Sequence, residues 1–376
     1  MRFYRIGFCI VIILLLFLPI IQGSIGIIDL PGVIENRRLA SFIDINESSF
    51  ATFPATVDRY LDDNYGFRTF LIKTANTIRL TIFQVKQLNE IIVGKDNWLF
   101  FYSKTDGNTI ADYKKTNRYT QRELRYLAHK LSLVDADLKR RGIDLVIVFV
   151  PNKGSVYPEY LPDHLQVPGM SCYDELIAYL RDQTDTTLID VKNDLLAAKK
   201  NSPMLLYEPN GSHWNLLGGY IGYLSLVDRF KVQFPRLKPK RLDGYEIRQE
   251  SEGHDLENMI GVFGYDSPMQ PVLYHRGKKV EPFKFQMKNI LDRTVVKTAH
   301  ASDEHLPKTV IFRDSYFNNI LPFLADHFSS AVIYRWHDGI LNTSSQFNEI
   351  IEHDKPKLVI IQMVERSLHR LHFFIR

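Results

Sequence analysis

Ile143-Asp144-Leu145-Val146-Ile147-Val148-Phe149-Val150 is an eight-residue run with one charge, and Pro151-Asn152-Lys153 follows it directly. A strand with one wet face alternates apolar and polar residues. A run without alternation is covered on both faces, as strands of parallel sheets are. Upstream, Thr120 to Arg141 spaces its apolar residues as a helix does and stops at Gly142, where a left-handed residue can end it. Downstream, Thr187 to Val191, Thr309 to Phe312, Ala331 to Tyr334 and Leu358 to Ile361 are shorter strands of the same kind. Helical patterns separate most of them: Ser171 to Asp182, Leu216 to Phe230, Asn318 to Phe328 and Ser345 to His353. This alternation predicts an α/β fold with a parallel sheet flanked by helices.

Two regions depart from that rhythm. Lys238 to Thr298 is richer in charge and short alternating runs, and reads as an inserted hairpin region. Before the first buried strand, Thr56 to Asp63 and Thr69 to Leu88 read as helices, and Ile91 to Tyr102 as a hairpin turning on Gly94-Lys95-Asp96-Asn97.

At the amino end no residue from Ile6 to Ile28 is charged, and Arg2 and Arg5 precede the run. At about 1.5 Å per residue it reaches roughly 35 Å, enough to cross a hydrocarbon core of about 30 Å. The basic flank favours the cytoplasm, which puts the rest of the chain on the far side. Gln22-Gly23-Ser24-Ile25-Gly26 is a poor cleavage site, so an uncleaved anchor is expected. The expected organisation is an anchor over 1–28, a stalk and leading helices over 29–90, and the α/β domain over 91–376 with its insertion at about 238–298. Such a chain sits in the cell inner membrane by a single pass, with its body on the periplasmic or extracellular side.

Composition narrows the function classes. The 376 residues are 45% hydrophobic and 24% charged, enough to bury a core. Lys plus Arg number 47 against 43 for Asp plus Glu, so no basic field marks a nucleic-acid binder. Cys9 and Cys172 are the two cysteines, and the first lies in the apolar run, which excludes a disulfide framework, a Cys-x-x-Cys pair and a cysteine zinc cage. Walker, Gly-x-Gly-x-x-Gly, His-Glu-x-x-His and Gly-x-Ser-x-Gly signatures are missing. Neither a metal nor a cofactor is expected.

Ligands of open parallel sheets lie beyond the carboxyl ends of the strands. There stand Pro151-Asn152-Lys153, Lys192-Asn193-Asp194, Arg313-Asp314-Ser315, Arg335-Trp336-His337 and Gln362 to Arg366. Ser315 follows a strand and precedes a helical pattern, where a hydroxyl can attack a carbonyl while backbone N–H groups face the oxyanion. It would equally serve as a helix cap. His213 lies in the loop Asn210-Gly211-Ser212-His213-Trp214-Asn215, a place for a general base or for an ordinary surface histidine.

Together these pieces resemble the SGNH hydrolase-like polysaccharide O-acetyltransferases, the family of the periplasmic alginate O-acetyltransferases. The resemblance runs from about Asn36 to Arg366. It rests on Glu35-Asn36-Arg37, Asp62-Asp63-Asn64-Tyr65-Gly66-Phe67-Arg68, Gly94-Lys95-Asp96-Asn97-Trp98-Leu99-Phe100, Val150-Pro151-Asn152-Lys153 with Tyr157-Pro158-Glu159, Gly211-Ser212-His213-Trp214-Asn215 and Arg313-Asp314-Ser315-Tyr316. Gly253-His254-Asp255-Leu256 and Val364-Glu365-Arg366 look like two further family positions.

The resemblance implies an SGNH-like fold with Ser315 as nucleophile and His213 as general base. It also implies acetyl transfer through a serine acetyl-enzyme to hydroxyls of a cell-envelope or extracellular polysaccharide. By analogy Asn152 would join Ser315 in holding the oxyanion, and Lys153, Arg335 and Tyr316 would contact the acceptor. The family usually places an Asp two residues before the histidine, where this chain has Gly211. Glu208, Asp190 or a backbone carbonyl would then serve the second ring nitrogen, or the pair would act as a dyad. A multi-spanning membrane O-acyltransferase is the implied acetyl source. An acetyl esterase would carry the same two residues. A non-catalytic polysaccharide-binding or assembly protein would have lost the acid.

Overall fold

The computed structural model describes residues 2–26, 39–46, 48–104, 106–232, 234–235, 238–283, 293–297, 305–336 and 344–375. Glu35-Asn36-Arg37 and His337 lie outside the described residues. The chain forms two compact units, one of residues 1–92 with 253–266, the other of 93–252 with 267–376.

The larger unit is built on a six-stranded sheet. Its strands are β1 (Asp144–Val150), β2 (Thr187–Asp190), β5 (Arg293–Lys297), β6 (Lys308–Arg313), β7 (Ser330–Arg335) and β8 (Leu358–Val364), in the order β2-β1-β8-β6-β7-β5. Every pairing is parallel except that of β5 with β7. This is the α/β fold with a mainly parallel sheet that the sequence predicts. The two hairpin strands β3 (Tyr245–Ser251) and β4 (Met269–His275) form a separate antiparallel sheet with Lys278–Lys279.

Burial follows from the two covered faces. Leu145, Ile147 and Phe149 point into a core shared with Leu127 and Leu131 of helix Gln121–Arg140 and with Leu176 and Ile177 of helix Cys172–Gln183. Phe312, Ile361, Phe347 and Phe374 extend the same layer. The alternate residues Val146, Val148 and Val150 are also fully buried, which removes any polar alternation from the strand. Reciprocal capping boxes start both helices, Thr120 with Glu123 and Ser171 with Asp174, and satisfy backbone donors that would otherwise be orphaned. Gly142 ends the first helix at φ +70°, a conformation that costs glycine little.

The structure corrects the sequence-based expectations in three places. Residues 318–328 do not form one helix: Ser315–Asn319 and Ala325–His327 are 3-10 turns around a short helix Leu321–Leu324. Pro322 supplies no N–H to a continuous ladder. The helix expected to run from Thr69 to Leu88 instead ends at Thr81, and Gln87–Leu88 pairs antiparallel with Ile91 and Ile92 across Asn89 at φ 51°. Arg293–Lys297, expected within the insertion, is the antiparallel edge strand of the main sheet.

The smaller unit holds helices Arg2–Ile25, Phe53–Asn64, Arg68–Thr81 and Asp255–Ile260. Within the first, Ile6–Gly23 has a mean hydropathy of 2.7 and is long and apolar enough to cross a membrane.

Candidate active site

Strand β8 lies between β1 and β6, and the chain leaves β1 towards β2 on one side and β6 towards β7 on the other. A crevice therefore opens beyond the carboxyl ends of these strands. The turn after β6 is held by Asp314, which is buried. Its Oδ1 accepts from the Tyr316 N–H and the Gln362 side-chain amide, both at 2.9 Å, and its Oδ2 accepts from the Val364 N–H at 2.6 Å. The Asp314 N–H donates back to Gln362 Oε1 at 3.1 Å. Four bonds thus tie the turn to β8 and around itself, and the Ser315 hydroxyl stands half-buried at the rim.

The histidine loop is closed by a bridge between Tyr207 and Trp214 and by the Glu208 N–H donating to the His213 carbonyl at 3.1 Å. Asn215 then caps helix Leu216–Phe230, its Oδ1 accepting from the Leu217 and Gly218 N–H groups at 3.0 Å. Three bonds stitch this loop to the serine turn: Trp214 Nε1–H to the Tyr316 carbonyl (2.8 Å), the Asn319 amide to the Trp214 carbonyl (2.6 Å) and the Tyr316 hydroxyl to the Ser212 carbonyl (2.5 Å). Between them His213 Nε2 lies 2.6 Å from Ser315 Oγ. This is the spacing of a nucleophile and the base that takes its proton.

The second ring nitrogen, Nδ1, lies 2.9 Å from the Ser212 hydroxyl, a contact that the sequence reading missed although Ser212 is its neighbour. Glu208 is brought close as well: its carboxylate and the His213 ring approach within 4.8 Å. A methyl group added at Gly211 would collide with the Glu208 carboxylate. The space a side chain at 211 would need is therefore already filled by an acid.

Of the other sequence candidates, Lys153, Tyr316 and Asn152 lie beside this pair, whereas Asp190 and Arg335 stand apart. Asp190 is not brought to the histidine: its Oδ1 accepts from the Tyr173 hydroxyl (2.6 Å) and the Lys192 N–H (3.0 Å) at the end of β2. Lys153 is buried, with Nζ donating to the carbonyls of Glu208, Pro209 and Gly211 at 2.8, 3.0 and 2.5 Å. These bonds tie it to the loop that carries His213. Tyr316 is fully buried, its ring 4.8 Å from that of His213, and its hydroxyl donates to the Ser212 carbonyl. Arg335 ends β7 in register with Arg313, one strand away from Ser315. Asn152 is buried, and among the described residues its side-chain Nδ2 has no hydrogen-bond partner. It borders a small cavity of about 10 Å³ with Lys153, Ser212, Tyr316 and Arg366.

Next to Asn152, Glu365 after β8 accepts from the Asn152 N–H at 2.8 Å and the Ser155 hydroxyl at 2.6 Å. Burial, then the nearby Asp112 carboxylate, pushes its pKa up to about 7 from the usual 4.5. The folded chain thus keeps a proton that the unfolded chain releases, so stability should fall as pH rises from about 4.5 to 7 and level off above. The loss is on the order of 3 kcal/mol. In urea unfolding at pH 5 and pH 8, Glu365→Gln is expected to lose most of this slope. An unchanged slope would show that another group carries it.

With this geometry in hand, comparison with known proteins places the chain. Residues 91–365 match the family model described as SGNH hydrolase-like domain, acetyltransferase AlgX. The chain belongs to this family. Among curated relatives, the probable alginate O-acetylase AlgJ of Pseudomonas aeruginosa is 29% identical over 133 residues. That alignment covers 34% of this chain and 30% of the relative, so it spans less than a third of the relative's length. Of solved structures, Bacillus cereus PatB1 is 16% identical with a TM-score of 0.52, covering 76% of this chain and 99% of its own. The O-acetyltransferase domain of Pseudomonas putida AlgJ is 18% identical with a TM-score of 0.46, covering 74% and 91%. The first of these two structures supports the shared fold. Membership in an acetyltransferase family supports O-acetyl transfer as the activity class.

Proposed function

We propose that this chain is an exported O-acetyltransferase that carries acetyl on Ser315 and delivers it to hydroxyls of a cell-envelope or extracellular polysaccharide. The observation that carries the reading is the 2.6 Å approach of His213 Nε2 to Ser315 Oγ. Nε2 takes the hydroxyl proton as Oγ attacks the donor carbonyl. The leaving group departs with that proton, and the acetyl ester remains on Ser315. A sugar hydroxyl then attacks the ester, gives its proton to Nε2 and leaves as the acetylated sugar, restoring the serine.

Export is supported by Ile6–Gly23 behind Arg2 and Arg5. Outside the cytoplasm the chain has no access to cytoplasmic acetyl-CoA, so a multi-spanning membrane O-acyltransferase is the proposed acetyl source. The test uses the full chain, p-nitrophenyl acetate as donor and an unacetylated polysaccharide as acceptor. Nitrophenolate release together with a mass-shifted glycan is expected. Release with free acetate alone would make the chain an esterase, and no turnover of either kind would remove the enzyme reading.

Glu208 is proposed as the positioning acid, in place of the Asp that the family usually carries two residues before the histidine. Its carboxylate occupies the space that any side chain on residue 211 would need and would stabilise the imidazolium formed in each step. Glu208→Gln is expected to lower kcat roughly 100-fold with KM little changed. Gly211→Asp should be damaging alone, through crowding, and should restore activity in a Glu208→Ala background. Unaltered kcat in Glu208→Gln would remove Glu208 from the mechanism.

A further inference from the structure

The helix Arg68–Thr81 is inside out. Its Asn76 is buried, with the side-chain amide donating to the Ile260 carbonyl at 2.8 Å, and its Thr77 hydroxyl accepts from the Phe263 N–H at 3.0 Å. A row of its apolar residues faces outward, while Ile72 and Leu80 are half-buried. Leu71, Ala75, Ile78 and Ile82 recur at intervals of four, three and four, which places them on one helical face. All four are exposed, Leu71 at 50% and Ile82 at 69%, and Phe83 beside them is also at 69%. A helix that turns its polar residues in and a continuous apolar stripe out marks a surface that meets something apolar.

Charge and position say what that is. From Tyr65 to Asn89 the segment carries Arg68, Lys73, Arg79 and Lys86 and no acidic residue. An apolar stripe on a segment whose charged residues are all cations suits a helix lying in the headgroup boundary of an anionic bilayer. The turn that leads into the helix packs on the apolar amino-terminal helix: a methyl group at Gly66 would collide with the Pro19 carbonyl, the Gly23 nitrogen and the Gln22 side chain. Pro19 to Gly23 form the far end of the Ile6–Gly23 segment.

We infer that Leu71, Ile78, Ile82 and Phe83 form a second membrane contact, lying in the outer-leaflet headgroup region of an anionic bilayer beside the point where the anchor emerges. This rests on the proposed anchor. With it, the smaller unit is held at two points rather than one, which limits its rotation about the anchor.

The test uses the full chain in phosphatidylglycerol-containing liposomes, with Cys9 and Cys172 replaced by alanine and an NBD label at Ile82→Cys or, separately, Ile12→Cys. A nitroxide near the lipid carbonyls is expected to quench the Ile82 label at least about twofold, and a nitroxide deep in the acyl chains to quench the Ile12 label. Arg79→Glu with Lys86→Glu should weaken quenching at Ile82 and leave it unchanged at Ile12. An unquenched Ile82 label with a quenched Ile12 label would overturn the second contact and leave the anchor standing. If neither label is quenched, the anchor reading itself fails. Quenching at Ile82 that vanishes when each nanodisc holds a single copy would assign the stripe to a second copy of the chain and overturn the lipid contact.

Discussion

Ser315→Ala and His213→Ala are each expected to lower acetyl turnover at least about 100-fold, and intact-mass analysis after rapid quenching should find no acetyl adduct on Ser315→Ala. The reason is the single short contact between Nε2 and Oγ: without the oxygen no ester forms, and without the imidazole the hydroxyl keeps its proton. Because the two act as one unit, the double variant should be little worse than either single one. Measured against p-nitrophenyl acetate and glycan, wild-type rates in both variants would sink the assignment. A loss in only one would break the pairing.

Lys153→Met should cost stability and activity together. The ammonium is buried and serves three carbonyls of the 208–211 stretch, with the Phe100 ring 5.2 Å from it. Methionine fills similar volume but leaves the Gly211 carbonyl without its donor, and takes one charge-assisted bond, worth roughly 1.5–3 kcal/mol, from each of the Glu208 and Pro209 carbonyls, which keep the Gly211 and Leu99 N–H groups. A fall of about 3–5 kcal/mol in urea unfolding is expected, and the loop that aims His213 should loosen with it. Lys153→Arg is not expected to rescue, since a planar fork cannot replace three converging N–H bonds from one atom. A variant within about 1 kcal/mol of wild type with normal turnover would show that the loop holds itself.

Much of the fold is legible because burial on both faces leaves a plain mark in sequence: Leu145 through Val150 are all apolar and all buried. Element ends are legible where chemistry marks them, as at Thr120, Ser171 and Gly142. The broken helix after Ser315 misleads because its apolar residues keep helical spacing through Pro322, and the missing backbone donor outweighs the periodicity. Lys153 misleads for a related reason. A charged residue at a strand end is usually solvated, and only the return of the 208–211 carbonyls over it makes a buried cation tolerable.

By itself, the sequence determined the α/β class, the family and the two residues worth asking about, because strand burial, helix caps and short motifs are properties of neighbours along the chain. Tertiary structure alone decided that Ser315 and His213 meet, that Asp190 stays away, and that the Glu208 carboxylate fills the space over Gly211. The meeting of Ser315 and His213 depends on how loops about a hundred residues apart are brought to one rim by the order of β1, β8 and β6, and pairing between distant segments leaves no periodic trace in either of them.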